Sequence, residues 1–197
     1  MENKNSIYTE LIEKEIKAIK NIPVNRVNDI IGAITRTLGE GRIITSGMGK
    51  AGHVASSFST TLSSTGTPSY FLHPAEAQHG DLGIIQKGDI VIVFSNSGKT
   101  REIKELITLI HSLEKSIYIF AIVGRANEFI SLNCADFLEF GETEEICPLG
   151  LTPTTSTTCM SVICDLIVVG LMKHNNFTKL EYSKYHHAGY LGEKSRS

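Results

Sequence analysis

Apolar residues recur at helical spacing through the first forty positions. Beyond them short apolar runs alternate with longer amphipathic ones. Ile7, Leu11, Ile12, Ile16, Ala18 and Ile19 share one helical face and predict a helix over 7–19, ended by Pro23. Val27, Ile30, Ile31, Ala33, Ile34 and Leu38 predict a second over 25–38, stopped by Gly39. The run 42–46 then reads as a strand, the glycine-rich 47–52 as a turn, and the residues to about Ser64 as a helix. A second strand is expected over 69–72 and a short helix or turn over 75–80. Runs 89–94 and 116–123 are almost continuously apolar, the pattern of parallel strands covered on both faces. The stretch 100–113 between them has helical period. A last strand over 135–140, a long buried helix over 154–174 and a polar helical tail over 178–186 complete the pattern. Strands alternating with helices in this rhythm imply βαβ units around a parallel sheet: one α/β domain with a leading helical arm.

Composition narrows the class. A chain of 197 residues, 41% hydrophobic and 20% charged, suits one globular domain with its own core. The net charge of −2, with no block of five like charges, excludes the electrostatic footprint of a nucleic-acid binder or a polybasic membrane-surface protein. The N-terminus carries no apolar signal core. The longest apolar stretch, 159–172, is 14 residues long and contains Asp165, too short and too polar for a bilayer. Cys134, Cys147, Cys159 and Cys164 show no CxxC spacing, so reduced thiols in a cytoplasmic protein are expected.

Two glycine loops carry the first chemical signal. Gly47, Gly49 and Gly52 fit GxGxxG between a strand and a helix. The acidic residue a dinucleotide fold needs after the second strand is missing, because that strand runs into Leu72, His73 and Pro74. Ser95-Asn96-Ser97-Gly98-Lys99-Thr100 invites comparison with a P-loop, but the first glycine of that motif would fall at Val93. Its hydroxyls and backbone N–H groups at a helix start suit one phosphate, or equally a side-chain cap on the helix. Both loops follow parallel strands and so meet at the carboxyl edge of the sheet, which favours a small phosphorylated ligand.

Candidate acid–base groups follow. Glu102 falls in the first turn of its helix, where a surface carboxylate is also favoured by the helix dipole. Glu142, Glu144 and Glu145 precede the apolar loop Cys147-Pro148-Leu149-Gly150. A solvated charge run is the common outcome, yet Glu145 beside that loop is a candidate for a raised pKa. His73 and His79 have no recognised metal spacing, so no metal site is expected. No Gly-x-Ser-x-Gly elbow or cysteine nucleophile motif is present, which disfavours covalent catalysis.

Several segments together resemble the sugar isomerase (SIS) family, and within it the arabinose-5-phosphate isomerase branch. They are Ser46-Gly47-Met48-Gly49-Lys50-Ala51-Gly52-His53, Ser64-Thr65-Gly66-Thr67-Pro68-Ser69, His73-Pro74-Ala75-Glu76-Ala77 and His79-Gly80-Asp81-Leu82-Gly83. Ser95-Asn96-Ser97-Gly98, Cys147-Pro148-Leu149-Gly150-Leu151 and Pro153-Thr154-Thr155-Ser156-Thr157-Thr158 continue the match in order. The resemblance implies a three-layer sandwich on a mostly parallel five-stranded, flavodoxin-like sheet, with residues 1–40 as an arm of the same domain and 41–197 as the isomerase domain. It implies interconversion of D-ribulose 5-phosphate and D-arabinose 5-phosphate through an enediol(ate), with no cofactor.

By the same resemblance Lys50, Glu102, Glu145 and His186 stand at catalytic positions. Gly49, Gly66, Thr67, His79, Ser95, Asn96, Ser97 and Thr100 stand at substrate-binding ones, and His73 stands where some relatives take up adventitious zinc. A homotetramer with shared active sites is implied, His186 acting in a neighbour's site, together with a module lacking the C-terminal CBS pair of many relatives. Either glutamate could serve as base and His186 as acid, with Lys50 offsetting the developing charge. Two features depart from the family pattern. His186-His187-Ala188-Gly189 lacks the usual proline, leaving His187 as an alternative to His186, and Lys99 and Arg101 add positive charge beside the second loop. The competing readings are an isomerase of a hexulose or seven-carbon sugar phosphate, and a non-catalytic sugar-phosphate sensor. The sensor would need a DNA-binding segment, which the first forty residues do not resemble.

Overall fold

The change of period near residue 40 is where helix-on-helix packing gives way to a sheet. The computed structural model describes residues 4–39 and 41–196, so the expected arm–domain boundary at residue 40 lies outside the described residues. Helices α1 (Lys4–Lys20) and α2 (Val24–Thr37) flank Pro23, which lacks the N–H a continuous helix would require. Strands β1 (Ile43–Gly47), β2 (Ser69–Phe71), β3 (Ile90–Ser95), β4 (Tyr118–Val123) and β5 (Asp136–Glu139) form one sheet in the order β2-β1-β3-β4-β5, every pair parallel. The connecting helices are α3 (Gly49–Ser64), α4 (Pro74–Ala77), α5 (Arg101–Leu113) and α6 (Glu128–Asn133). Helices α7 (Thr155–His174), α8 (Lys179–Tyr185) and α9 (Gly189–Arg196) close the chain.

Alternation along the strands divides the core in two. Ile43, Ile90, Ile92, Phe94, Phe120 and Ile122 pack against α2, α3 and α7. Ile44, Val91, Val93, Ile119, Ala121 and Val123 face α4, α5 and α6. These are the three layers expected. Each such aliphatic side chain, fully buried, contributes about 1.5–3 kcal/mol, so the sheet is the rigid reference for the loops at its edges. At the amino edge the carboxylate of Asp89, 2% exposed, ties β1 to β3. It accepts from the Arg42 backbone N–H at 2.8 Å, from Arg42 Nη2 at 2.9 Å and from the Gln86 N–H at 2.9 Å.

Three features differ from the sequence pattern. Helices α6 and α9 are not expected from it. The first is only six residues long, below the length at which period can be read, and the second is polar. The apolar stripe of α1 is only partly covered by the other described residues. Ala18 and Ile19 join the core, while Ile7, Ile12 and Ile16 are 45%, 58% and 37% exposed. Helix α7 is long and apolar enough to cross a bilayer by length and composition. Its Cys159, Met160, Ile163, Ile167 and Leu171 are core residues here.

Candidate active site

At the carboxyl edge the chain leaves β1 toward β2 and leaves β3 toward β4, in opposite directions. The crevice between the two departing loops is where ligands of open parallel sheets bind. Gly47 ends β1 in register with Phe94 of β3, so loops 47–49 and 96–100 stand side by side. The turn into α3 is tight. A Cβ on Gly52 would lie 2.4 Å from the Gly47 carbonyl oxygen, and one on Gly47 would lie 2.9 Å from the Gly52 nitrogen. Close strand-to-helix packing thus accounts for two glycines of GxGxxG without a dinucleotide. Gly49, at φ +56° and exposed, turns the chain in open space.

Neither helix that starts here is capped by a side chain. Met48 precedes α3 and Thr100 precedes α5, and neither makes a capping hydrogen bond. The first N–H groups of both helices therefore lack intrahelical partners and face the crevice with the positive ends of two dipoles. The Ser95 and Thr100 hydroxyls bond each other at 2.8 Å, and the Ser97 hydroxyl accepts the Lys99 N–H at 3.1 Å. This geometry separates the two readings of loop 95–100: its hydroxyls brace the loop and leave the helix end open to an anion. Asn96 and Ser97 are exposed, Thr100 is half-buried and Ser95 is buried. Of the basic pair beside the loop, Arg101 turns away, its Nε donating to Glu105 Oε1 at 2.6 Å, which leaves Lys99 unmatched among the described residues.

Lys50, in the first turn of α3, lines a groove of about 360 Å³ with His53 and with Thr157, Thr158 and Ser161 of α7. Glu145 reaches the same end of α7. Its Oε2 accepts from the Thr154 N–H at 2.6 Å, the Thr154 hydroxyl at 3.0 Å and the Ser156 N–H at 3.3 Å, and its Oε1 accepts from the Ser156 hydroxyl. The expectation of a raised pKa for Glu145 is corrected by these bonds. Burial pushes its pKa up, but the donors from Ser156 and Thr154 outweigh burial and hold it below the ordinary carboxylate value. Glu102 is half-buried in the first turn of α5, beside the loop, and its carboxylate accepts no hydrogen bond from a described residue.

Gly66, Thr67 and His186 are not gathered with these groups. Gly66 and Thr67 end α3 at the amino edge, just before Ser69 pairs with Ile43. Thr67 is 4% exposed, and Gly66 packs on Phe177. Phe177 in turn stacks on Tyr185 of α8, next to His186. The His186 ring lies on Tyr182 at 3.7 Å with an interplanar angle of 2°. Its Nδ1 is 3.0 Å from the Tyr182 carbonyl oxygen; that oxygen can only accept, so Nδ1 carries a proton and Nε2 is the ring nitrogen left to face a ligand. Among the described residues no hydrogen bond, ion pair or ring contact joins His186 to Lys50, Glu102 or Glu145. His187 is exposed. His79 is exposed beyond α4, on the carboxyl side of β2, and the half-buried His73 begins α4 with its Nδ1 buried and unpartnered. Sequence reasoning missed Thr154 and Ser156 as the partners of Glu145, and missed Asn127, which braces loop 95–100. A Thr or Asn just before a helix, Thr154 at α7 and Asn127 at α6, was the available signal.

The model of the SIS domain family matches residues 38–170. Arabinose 5-phosphate isomerase KdsD of Pseudomonas aeruginosa is 42% identical over 156 residues, 79% of this chain and 47% of that protein. The chain thus spans about half the length of the curated relatives it matches. The crystal structure of a candidate phosphosugar isomerase involved in capsule formation from Bacteroides fragilis has a TM-score of 0.92 at 46% identity, covering 95% of this chain and 100% of that one. The Escherichia coli CFT073 protein c3406, solved in complex with arabinose 5-phosphate, has a TM-score of 0.84 at 32% identity, covering 94% and 100%.

Proposed function

Because this chain belongs to the SIS domain family, we propose that it interconverts D-arabinose 5-phosphate and D-ribulose 5-phosphate by moving a proton between C1 and C2. The observation that carries the reading is the pair of uncapped helix ends meeting at the β1/β3 crevice, with Lys50 and Glu102 on their rims. The free N–H groups of α5, with the Ser95, Ser97 and Thr100 hydroxyls and Asn96, receive the phosphate. Gly49 leaves the α3 end open toward the sugar. Glu102 is the base, since its carboxylate is not committed to other donors, and it carries the proton between the two carbons. Lys50 stabilises the enediolate oxygen. Glu145, engaged on both oxygens, holds the start of α7 in place beside Lys50. No step of this scheme draws on a cofactor or metal.

His186 Nε2 supplies the acid that opens the sugar ring or protonates the oxyanion, and it does so in a neighbouring subunit's site. The lack of any hydrogen bond or ring contact between His186 and those groups among the described residues supports this. So do the uncovered Ile7, Ile12 and Ile16 of α1 and Leu166 and Val169 of α7, apolar surface that a homotetramer of this cytoplasmic enzyme would cover. Gly66, Thr67 and His79 belong to the same shared sites.

Carbon NMR of D-ribulose 5-phosphate with the protein, in chelator and without nucleotide, should show D-arabinose 5-phosphate appearing, and Glu102→Gln should abolish it. Tight binding of a ketose phosphate with no aldose formed would instead favour a sensor. Mixing Glu102→Gln with His186→Ala subunits should restore activity that neither has alone; no recovery would place the two residues in one subunit's site.

A further inference from the structure

We infer that Asn127 is a positioning residue for the phosphate-receiving loop 95–100, acting through the Gly98 carbonyl; this rests on the proposed phosphate role of that loop. Asn127 bridges two segments that the sequence keeps apart. Its Oδ1 accepts the Ile130 N–H at 3.1 Å and so caps α6, while its Nδ2 donates to the Gly98 carbonyl at 2.8 Å. The contact surface is close-fitting. Gly98 is buried at φ +65°, and a Cβ there would meet the Arg125 carbonyl oxygen at 2.6 Å and Asn127 Nδ2 at 3.0 Å. A second strut runs alongside, the Arg125 N–H donating to the Asn96 carbonyl at 3.0 Å, and Gly124 leaves room for the Asn96 side chain.

Loop 95–100 is otherwise held by its own short bonds, Ser95 to Thr100, Ser97 to Lys99 and the Gly98 N–H to the Ser95 carbonyl at 3.3 Å. Of these only the Lys99 N–H to Ser97 hydroxyl bond holds the Gly98–Lys99 peptide, and it ties that peptide to its own loop alone. The Asn127 amide ties the other side of the same peptide to a second segment. By holding the Gly98 carbonyl toward α6 it keeps the opposite, N–H side of the planar peptide toward the Ser97 hydroxyl and the start of α5. An asparagine is required because the position needs an acceptor for α6 and a donor for loop 95–100 in one side chain. The pre-set loop receives an anion without first ordering, so the effect is on binding in ground state and transition state alike.

Two substitutions separate the donor from the cap. Asn127→Asp keeps an acceptor for the Ile130 N–H but cannot donate to Gly98. Asn127→Ser also caps, is neutral, and is too short to reach Gly98. Both should raise KM for the sugar phosphate on the order of tenfold, the factor for one lost hydrogen bond, with kcat within about twofold of wild type. The dissociation constant of inorganic phosphate, read from the Gly98 and Lys99 amide resonances, should weaken by the same factor. A KM effect in the Asp variant alone would assign the result to charge and overturn the inference. So would a fall in kcat or in thermal stability with KM unchanged. If neither variant nor wild type turns over sugar phosphates yet phosphate binding weakens as stated, the isomerase reading fails and the role of Asn127 stands.

Discussion

Replacing Glu145 by glutamine keeps the shape of the side chain and removes its charge, which isolates what the carboxylate does at the end of α7. In the wild type four donors converge on its two oxygens, from the N–H and hydroxyl groups of Thr154 and Ser156. Glutamine offers one accepting oxygen and sets an NH₂ group against the remaining donors. At about 1–3 kcal/mol for each donor left without an acceptor, discounted because the site is half-buried, the loss is about 2–3 kcal/mol. For a domain of this size that is a fall in Tm of roughly 4–12 °C.

The pH dependence has a definite sign. The folded-state pKa of Glu145 is lowered: burial alone would raise it, but the Ser156 and Thr154 bonds prevail. The stability it supplies is therefore complete above the ordinary carboxylate value of 4.5 and is lost as pH falls through the lower folded value. Thermal unfolding followed by circular dichroism should show the two proteins well separated at neutral pH and converging in acid. Equal Tm values at neutral pH, or an acid limb as steep in the glutamine variant as in wild type, would refute the assignment of Glu145 to α7.

Asp89→Ala leaves two backbone N–H groups without their acceptor and the Arg42 guanidinium with only the Ile84 carbonyl, and should lower the urea-derived stability by roughly 2–4 kcal/mol. A change under about 1 kcal/mol would mean the β1–β3 tie contributes little. Gly52→Ala drives a Cβ to 2.4 Å from the Gly47 carbonyl and should cost about 1–3 kcal/mol while displacing Lys50 and lowering turnover. Gly83→Ala, which meets nothing within 4 Å, is the control expected to be neutral. Backbone N–H groups of Thr152 and Leu151 pull the Cys147 thiol down to about 7, whereas burial pushes Cys134 up to about 12 and Cys159 to about 11. Brief iodoacetamide treatment near neutral pH should place a single adduct on Cys147 by mass spectrometry, at a rate that falls below about pH 7. Uniform labelling of all four cysteines would contradict that environment.

Much of this molecule was legible before folding because its signals are local. The apolar runs around Ile90 and Tyr118 read as buried parallel strands because both faces of each strand are covered, and that leaves no alternation for a different reading. Parallel strands then force the loops after β1 and β3 to one edge, so Lys50, Ser95 and Glu102 could be grouped from chain order alone. Tertiary structure decided what depends on partners distant along the chain. Thr154 and Ser156 fold back on Glu145 and reverse the direction of its pKa shift. Asn127 reaches Gly98 from the start of a helix too short to have a period. Gly66 and Thr67 fall at the opposite edge from loop 95–100 because α3 carries the chain across the full depth of the sheet before β2 begins. Periodicity registers which face of an element is apolar, and the strand rhythm registers which edge a loop occupies. Whether a donor is left free, or a carboxylate is engaged, is a matter of distances of about 3 Å between segments, and only the packed chain sets those.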